Sequence, residues 1–328
     1  MPGISEGRFV VVGGASLLGS HIGEQLLASG AREVVLLDNL ALGSTENIDF
    51  LLADKRCSFV RGDVLRLNEL YDAMVDCDGV FAVAGFLAEP MRANPWLGID
   101  VNVRGLQNIL EASRHQRVKK VVFSSSNGIY GAVGNEPNTD DSPLRWAGMP
   151  PALILYCASK IMGEGLGLLY QQEYGVDFLA LRYSAIYGER QHKRAIAVTQ
   201  MVQAYERIRS GKRPVIEEDG TQVSDYIYAG DAARANLMAM SSEASGAGMN
   251  IVSGVDTSQN QVVELVLKAC KSDLKADYYA APSKLLLPVE TKLGFSRARA
   301  KELLGWEPQV SIADGIARLV TWLDQNRT

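Results

Sequence analysis

Tyr156 and Lys160, four positions apart, are the residues of this sequence best suited to chemistry. In a helix, residues i and i+4 lie on one face, so the lysine ammonium would sit beside the phenol. A nearby cation favours the phenolate and lowers the pKa of a tyrosine, which makes a proton donor and acceptor usable near neutral pH. Ser126 ends a strand-like run upstream and could hold a carbonyl or alcohol against the phenol. Together these groups could move a hydride to or from a secondary alcohol carbon.

A glycine-containing turn near the N-terminus predicts a dinucleotide site. The apolar run at 8–12 leads into Gly13, Ser16 and Gly19, which open a helical pattern. The glycines allow a tight turn, and the helix start offers unpaired N–H groups and a positive dipole end to a pyrophosphate. A second apolar run ends at Asp38, near the offset of about 20 residues at which an acid binds the adenosine ribose. Because Asp38 would repel a 2′-phosphate, the pattern predicts NAD rather than NADP.

The elements that must position these residues alternate between strands and helices. Strands are predicted at 8–12, 33–37, 57–60, 79–83, 119–124 and 177–182, and helices at 19–29, 67–75, 95–115 and 156–174. This repetition predicts an α/β fold with a Rossmann-type, doubly wound parallel sheet and the ligand at the C-terminal strand ends. We expect an NAD-binding domain over 1–182. We expect residues 183–328 to form mainly a smaller substrate lobe, with part of 229–249 returning to the first domain.

Composition excludes several classes of partner. The 328 residues carry a net charge of −5, which gives no sign of nucleic acid or an anionic membrane as partner. No apolar run reaches the length of about 18 residues that a transmembrane helix needs, and residues 1–7 lack the features of a signal peptide. Four cysteines without metal-ligand spacing predict reduced thiols, a cytoplasmic protein and no metal site.

In its motifs the sequence resembles the extended short-chain dehydrogenases/reductases, in the NAD-dependent epimerase/dehydratase family. The matching positions are Gly13, Ser16, Gly19, Asp63, Val64, Val83, Ala84, Gly85, Asn102, Val103, Gly105, Asn108, Ser126, Ile129, Tyr130, Gly131, Tyr156, Lys160, Arg182, Tyr183, Tyr187, Gly188, Gly220, Gln222, Asp225, Tyr226, Ile227, Tyr228 and Asp231. The resemblance implies an enzyme with NAD as cofactor and with Ser126, Tyr156 and Lys160 as catalytic residues. It also implies a homodimer paired through the helices near 95–115 and 156–174.

The resemblance assigns a cofactor-binding set that follows the strand ends. Its members are Gly13, Ser16, Leu17, Leu18, Gly19, Asp38, Asn39, Asp63, Val64, Val83, Ala84, Gly85, Asn102, Ser124, Tyr156, Lys160 and Tyr183. Ser16 replaces the central glycine of the family's turn. Its side chain should narrow the approach to the pyrophosphate, while its hydroxyl could donate to a phosphate oxygen.

Several positions depart from the nucleotide-sugar enzymes of the family. Ala185 stands where those enzymes have an asparagine, Ser224 where they have a phosphate-binding arginine, and 285–290 lacks their late Arg-Pro-Gly-Asp. A basic segment, 192–194, could replace these anchors, or it could be an exposed helix start. The candidate substrate-binding residues are Ser126, Asn127, Ala185, His192, Lys193, Arg194 and Ser224. The dehydratases carry an acid after their catalytic residue, and Asn127 in that place gives elimination poor support.

Three functions fit this sequence. The first is an epimerase that oxidises a hydroxyl of a polar, sugar-like substrate and returns the hydride to the other face. The second is a simple NAD-dependent dehydrogenase of a polyol, sugar or hydroxy acid without a nucleotide group, to which the missing anchors point. The third is a non-catalytic NAD-binding protein, against which the intact Ser126, Tyr156 and Lys160 argue.

Overall fold

The computed structural model describes residues 3–131, 138–191, 196–280 and 293–327, without the side chains of 196–199. The strands are β1 Arg8–Val12, β2 Glu33–Asp38, β3 Cys57–Arg61, β4 Gly79–Ala82, β5 Lys120–Ser126, β6 Asp177–Tyr183, β7 Ala185–Tyr187, β8 Val215–Glu217, β9 Val223–Tyr228, β10 Ala247–Ile251, β11 Asp256–Ser258 and β12 Asp277–Tyr279. The α-helices are α1 Leu17–Ala28, α2 Leu67–Ala73, α3 Ala88–Ala93, α4 Pro95–Ile99, α5 Leu106–His115, α6 Pro151–Tyr174, α7 Ile196–Arg209, α8 Ala229–Ser241, α9 Gln259–Ala269, α10 Ala298–Leu304 and α11 Ile312–Gln325.

Seven parallel strands form the central sheet, in the order β10-β6-β5-β4-β1-β2-β3. The chain starts at β1, winds outward to β3, and then crosses to β4 on the other side of β1. This reversal is the topological switch point at which doubly wound sheets bind ligands. The predicted fold class is confirmed, and each of the six predicted strands is present with its end shifted by two residues at most.

The predicted helix at 95–115 is not one regular helix. It divides into α4, a π-helical segment at Asp100–Gly105, and α5. A π-segment inserts an extra residue into the helical turn and is frequent at functional sites. Here the segment contains Asn102, which is buried. The periodicity of apolar residues could not reveal this change, because the apolar stripe runs through all three parts.

The helix that carries Tyr156 and Lys160 begins earlier than predicted. Helix α6 starts at Pro151, a position that tolerates proline because the first helical N–H has no intrahelical partner. Among the described residues, α6 is the helix long and apolar enough to cross a membrane by length and composition alone. Its Ser159, Lys160 and Gly163 are buried, and the helix packs against β5 and α5, as a helix of a globular core does.

The second half of the chain contributes to both parts of the molecule. Helix α8 packs against α1, and β10 extends the main sheet beside β6. The sheet β11-β9-β7 and the pair β12-β8 lie with α7, α9 and α11 around a separate apolar cluster. Helix α8 and β10 therefore lie with the main sheet, while the expected division into domains at 182, with part of 229–249 returning to the first domain, stays a prediction.

We expect two glycines of α6 to respond in opposite ways to alanine. A Cβ at Gly167 would lie 2.1 Å from Cζ of Phe178, whereas a Cβ at Gly165 would meet nothing within 4 Å. Gly167→Ala should lower the free energy of unfolding by about 1–3 kcal/mol through overpacking. Gly165→Ala should raise it by about 0.5–1 kcal/mol through helix propensity. Denaturant unfolding of both variants tests this, and equal effects would contradict the packing of α6 on β6.

Candidate active site

The glycine turn after β1 is held against the loop after β4. A Cβ at Gly13 would lie 2.6 Å from the amide nitrogen of Ala84, and Gly13 has a φ of 89°. A Cβ at Gly19 would lie 2.1 Å from the carbonyl oxygen of Gly13. Val83 and Ala84 both donate their amides to the carbonyl of Val12. Only glycine fits at these two positions, which leaves the start of α1 open to a pyrophosphate.

Ser16 caps α1 with its side chain. Its Oγ donates to the carbonyl of Gly13 at 2.6 Å and accepts the amide of Gly19 at 3.1 Å. The hydroxyl proton is therefore engaged inside the turn, contrary to the expectation that it donates to a phosphate oxygen. Leu17 and Leu18 follow as the first residues of α1, where backbone N–H groups have no intrahelical partner. A phosphate contact of this turn would run through those amides.

Asp38 ends β2 and is buried. Its carboxylate accepts the amide of Ala15 at 3.1 Å and that of Leu40 at 2.8 Å. Burial raises the pKa of Asp38, and these two hydrogen bonds oppose the rise. Each carboxylate oxygen has a second lone pair available for a ribose hydroxyl. Asn39 donates to Asp63 at 3.2 Å, which joins the loops after β2 and β3.

Asn102 fixes the loop after β4 beside Lys160, a predicted catalytic residue. Its amide group accepts from the Phe86 nitrogen at 2.6 Å and donates to the Phe86 carbonyl at 3.0 Å. The same amide nitrogen donates to Oγ of Ser159 on α6 at 3.0 Å. A Cβ at Gly85 would lie 3.3 Å from both Oδ1 of Asn102 and Nζ of Lys160. Through Asn102, the π-segment therefore holds the loop after β4 close to α6 and its Lys160.

The structure brings the three predicted catalytic residues together. Nζ of Lys160 donates to the carbonyl of Ser124 at 2.8 Å and lies 5.8 Å from the ring centroid of Tyr156. The side chain of Ser126 lies close enough to Tyr156 to lower the pKa of its phenol. Ser126 also accepts the amide of Gly128, which begins the short 3₁₀ turn at 127–130. The turn holds the serine hydroxyl at the end of β5, facing α6.

The pKa values differ from the expectation drawn from spacing. Burial raises the pKa of Tyr156 to about 12, and the side chain of Ser126 opposes the rise. Burial lowers the pKa of Lys160 to about 8, and the charge of Glu164 opposes that change. The predicted lowering of the tyrosine pKa by the lysine is wrong for the protein by itself. The ammonium points to the carbonyl of Ser124 rather than to the phenol oxygen, so desolvation dominates.

Two further members of the cofactor set lie behind the site. Ser124 meets Lys160 through its carbonyl group. Tyr183 is buried at the end of β6, and its hydroxyl accepts from Asn236 of α8 at 2.7 Å. These contacts fix the strand ends. A direct contact of either residue with the cofactor stays a prediction.

The candidate substrate residues are only partly described. Asn127 follows Ser126, and both are half-buried. Ala185 lies two residues after Tyr183, which pairs with Ser126, and Ala185 pairs with Tyr226 of β9, the strand that contains Ser224. These positions therefore approach Ser126 from β7 and β9. His192, Lys193, Arg194 and the segment 285–290 lie outside the described residues.

Sequence reasoning missed a charged pair beneath the site. Glu164 of α6 accepts Nε of Arg182 at 2.9 Å and Nη2 at 2.7 Å. It also accepts Oγ of Ser125 at 2.6 Å. Glu164 lies four positions after Lys160, which was the available signal for a shared face. Cys157, by contrast, is buried and donates to the carbonyl of Gly128, which fits a role in packing.

Nothing in the described ranges suggests a metal centre, since no group of three His, Cys, Asp or Glu side chains there could hold an ion. The turn after β1, the acid of β2 and the Lys160 site fit NAD at the switch point of the sheet. Fold and site together define an NAD-dependent enzyme of the extended short-chain dehydrogenase/reductase type.

Comparison with known proteins agrees with this class. The family model described as "NAD dependent epimerase/dehydratase family" matches residues 9–253, and the chain belongs to that family. A UDP-glucose 4-epimerase of Mycolicibacterium smegmatis is 30% identical over 319 residues, covering 95% of this chain and 97% of that protein. The structure of the Thermus thermophilus UDP-glucose 4-epimerase in complex with NAD is 30% identical, with a TM-score of 0.81 over 98% of this chain and 100% of the other.

Dehydratases are also among the similar structures. A dTDP-glucose 4,6-dehydratase of Streptomyces venezuelae, solved with NAD bound, is 26% identical, with a TM-score of 0.85 over 98% of each chain. Similarity therefore establishes the family and its cofactor, while the reaction must be argued from this chain's own residues.

We expect NAD to bind more tightly than NADP. A 2′-phosphate beside the Asp38 carboxylate would cost on the order of a few kcal/mol where solvent screening is poor. Replacing Asp38 by asparagine should weaken NAD binding and reduce the difference in affinity between NAD and NADP, since the side chain loses its charge but keeps its shape. Titration of both cofactors against wild type and Asp38→Asn measures this, and equal or tighter NADP binding by wild type would contradict it.

Proposed function

We propose that this chain is a sugar epimerase that uses NAD to take a hydride from a secondary alcohol carbon and return it to the opposite face. The observation that carries the proposal is the meeting of Ser126, Tyr156 and Lys160 at the end of β5. NAD, when bound, would supply the acceptor and then the donor of the hydride. The three side chains would transfer the proton and orient the substrate oxygen, and the ketone must present its other face to the cofactor before it is reduced again.

Each side chain has a distinct part in this mechanism. The oxygen of Tyr156 takes the alcohol proton as the hydride leaves, and returns a proton when the ketone is reduced again. The hydroxyl of Ser126, which lies beside that phenol, holds the substrate oxygen in line. Lys160 has a pKa of about 8 and is mostly charged at pH 7. Its ammonium lies 5.8 Å from the ring centroid of Tyr156, where a positive charge favours the phenolate, although burial has the larger effect on the phenol in the free protein.

The residues after Ser126 favour epimerisation over elimination. A dehydratase must remove a proton from carbon and expel water, for which a carboxyl group serves as acid or base. Asn127 and Gly128 occupy the turn after the catalytic serine, and neither can exchange a proton in this way. The proposal therefore separates this chain from the dehydratases that it resembles in fold.

We propose a sugar carried on a nucleotide as the substrate, held by different contacts from the usual ones. The support is the similarity of this chain to relatives that include a UDP-glucose 4-epimerase and a UDP-glucuronate 4-epimerase. Ala185 and Ser224 cannot supply the asparagine and arginine contacts to a diphosphate. The basic segment 192–194 follows directly after β7 and its turn, and it is the proposed replacement.

A simple NAD-dependent dehydrogenase is the second candidate. It would use the same three catalytic residues but release NADH, and its substrate would be a polyol, sugar or hydroxy acid without a nucleotide. The specific observation in its favour is the pair Ala185 and Ser224, because both diphosphate anchors on β7 and β9 are missing together. Accumulation of NADH with a free sugar would favour it over the epimerase.

Tyr156→Phe should reduce turnover to a few per cent or less and leave NAD binding nearly unchanged. The phenol oxygen transfers the substrate proton, whereas the predicted cofactor contacts lie in the glycine turn and at Asp38. Lys160→Ala should impair both turnover and NAD binding. Steady-state rates and NAD titration of the two variants are the measurements. Activity of Tyr156→Phe well above a few per cent would mean that another group transfers the proton.

We expect UDP-glucose and TDP-glucose to bind less tightly than they would with the family's usual anchors, and their binding to depend on the segment 192–194. A charge-assisted hydrogen bond contributes about 1.5–3 kcal/mol. Losing two such contacts would cost about two to four powers of ten in affinity. Calorimetry with UDP, TDP, free sugars and sugar acids tests this in wild type and in a triple alanine variant of His192, Lys193 and Arg194. Restoring the anchors by Ala185→Asn and Ser224→Arg should tighten UDP binding.

The outcomes separate the alternatives. Micromolar UDP binding that survives the triple substitution would show that other residues hold the nucleotide. Binding of a free sugar or sugar acid without any response to UDP or TDP would favour the dehydrogenase.

We propose that the enzyme is a homodimer joined through α6 and the helical region at 95–115. Leu155, Met162 and Leu169 repeat every seven residues along α6 and are exposed, a spacing that places them on one stripe of the helix. Only 28% of the most apolar window of α6 is buried within the chain. Trp96, 80% exposed at the start of α4, adds to the apolar surface. A second copy would cover this surface with the same surface of its own.

The double substitution Met162→Glu and Leu169→Glu should convert the dimer to a monomer at micromolar concentration, because it places charges in the apolar stripe. Light scattering coupled to size-exclusion chromatography is the measurement. Val255→Glu is the matched control, since Val255 is about as exposed as Met162 and Leu169 but lies between β10 and β11, away from α6. A wild-type protein that is monomeric would contradict the proposal.

We also propose that the enzyme works in the cytoplasm. The cysteines at 57, 77, 157 and 270 are all free and buried. Burial raises the pKa of Cys77 to about 11, so this thiol is protonated and unreactive at neutral pH. A reducing compartment suits such unpaired thiols.

A further inference from the structure

Behind the catalytic residues, Glu164 joins α6 to two strands of the sheet. One carboxylate oxygen, Oε1, accepts Oγ of Ser125 on β5 at 2.6 Å and Nε of Arg182 on β6 at 2.9 Å. The other accepts Nη2 of Arg182 at 2.7 Å. Only 12% of the glutamate side chain and 14% of the arginine side chain are exposed. Fork-like pairs of this kind are strong and directional, and less screened when buried.

Arg182 continues the connection to the far side of the site. Its Nη1 donates to the hydroxyl of Tyr130 at 2.8 Å and to the carbonyl of Asp140 at 2.7 Å. Tyr130 belongs to the turn that follows Ser126, and its hydroxyl donates to Asn250 on β10. The guanidinium group therefore ties α6 to the turn that holds the catalytic serine.

Three consecutive serines at the end of β5 meet three residues of α6 spaced four apart. The pairs are Ser126 with Tyr156, the carbonyl of Ser124 with Lys160, and Ser125 with Glu164. Two of these pairs contain the groups that react or orient. The third pair contains groups that touch neither the proposed proton path nor the cofactor turn. Its hydrogen bond is nevertheless 2.6 Å long, shorter than the 2.8 Å bond from Lys160 to the carbonyl of Ser124.

We propose that Ser125, Glu164 and Arg182 form a positioning clamp, which fixes the rotation of α6 against β5 and keeps a negative charge beside Lys160. The inference rests on the proposed roles of Tyr156 and Lys160. Each residue of a helix turns by about 100°, so a rotation of α6 by a small part of one residue moves the phenol away from Ser126. A misplacement of about 1 Å at such a site can cost on the order of a hundredfold in rate.

The charge of Glu164 has a second effect, on the titration of Lys160. Within the described residues, the groups that face this lysine are Glu164 and Tyr156 on α6, Asn102 on the π-segment, and the ring of Phe123 and the carbonyl of Ser124 on β5. Arg182, Tyr130 and Asp140 lie on the other side of Glu164. Glu164 opposes the desolvation that brings the pKa of Lys160 to about 8. Without that charge, Lys160 should lose its proton at lower pH.

Two substitutions separate geometry from charge. Ser125→Ala removes one hydrogen bond and leaves the ion pair, so it should lower kcat severalfold with little change in KM or in the titration of Lys160. Glu164→Gln keeps the shape and removes the charge, so it should lower kcat by about tenfold or more. It should also move the alkaline fall of kcat to lower pH, because the lysine is uncharged over a wider range.

Asp324→Asn is the matched control. Asp324 of α11 accepts Nε and Nη2 of Arg209 and the hydroxyl of Tyr205, which is the same arrangement of donors, but it lies in the C-terminal cluster. The Asp324→Asn substitution should leave kcat and its pH profile unchanged. Thermal unfolding of all three variants shows how much stability each loses, so that an effect on fold can be separated from an effect on the site.

A direct titration of Lys160 tests the clamp without turnover. Reductive methylation with ¹³C-formaldehyde labels the lysines, and the signal missing in Lys160→Arg identifies Lys160 in NMR spectra. Its pKa should be lower in Glu164→Gln than in wild type and unchanged in Ser125→Ala and Asp324→Asn. If wild type turned over no sugar substrate, the proposed function would fail while this titration still tested the clamp.

The clamp is overturned if Glu164→Gln leaves both the titration of Lys160 and the pH profile as in wild type. It is equally overturned if Asp324→Asn changes them as much, or if neither Ser125→Ala nor Glu164→Gln lowers kcat. Should Glu164→Gln fail to fold, Ser125→Ala decides by its kcat, since the loss of one hydroxyl leaves the ion pair intact.

Discussion

The burial of the Lys160 ammonium is the constraint on which the rest of the site depends. A buried charge is costly unless hydrogen bonds and nearby opposite charge compensate it. The carbonyl of Ser124 and the nearby carboxylate of Glu164 provide that compensation, and both require α6 to lie in one orientation against β5. The same orientation brings Tyr156 to Ser126. The geometry of the reacting groups thus follows from satisfying one charge in the interior.

The cofactor side of the site depends on steric limits in addition to the charge of Asp38. Gly13 and Gly19 leave no room for a Cβ where the turn of β1 meets the loop of β4. Asn102, in the π-segment, holds that loop with both atoms of its amide and reaches α6 through Ser159. A cofactor bound at the switch point would therefore contact loops that are already fixed with respect to the lysine, which reduces the ordering cost of binding.

The substrate side combines a common framework with uncommon contacts. Strand β7 follows the end of β6 and pairs with β9, and the side chains of Ala185 and Ser224 on these strands offer neither a charge nor an amide group. An enzyme can change its substrate by replacing such contacts while the proton-transfer residues stay in place, because the two groups lie on different elements.

The sequence by itself predicted the order of strands and helices as far as β6, the NAD-binding turn and three candidate catalytic residues. These follow from local patterns: apolar runs, glycine spacing and the i, i+4 relation of Tyr156 and Lys160. Tertiary structure alone decided the direction of their pKa shifts, the return of β10 to the sheet, the π-segment at Asn102 and the pairing of Glu164 with Arg182. Desolvation and long-range pairing depend on atoms far apart in the chain, and no local pattern encodes them.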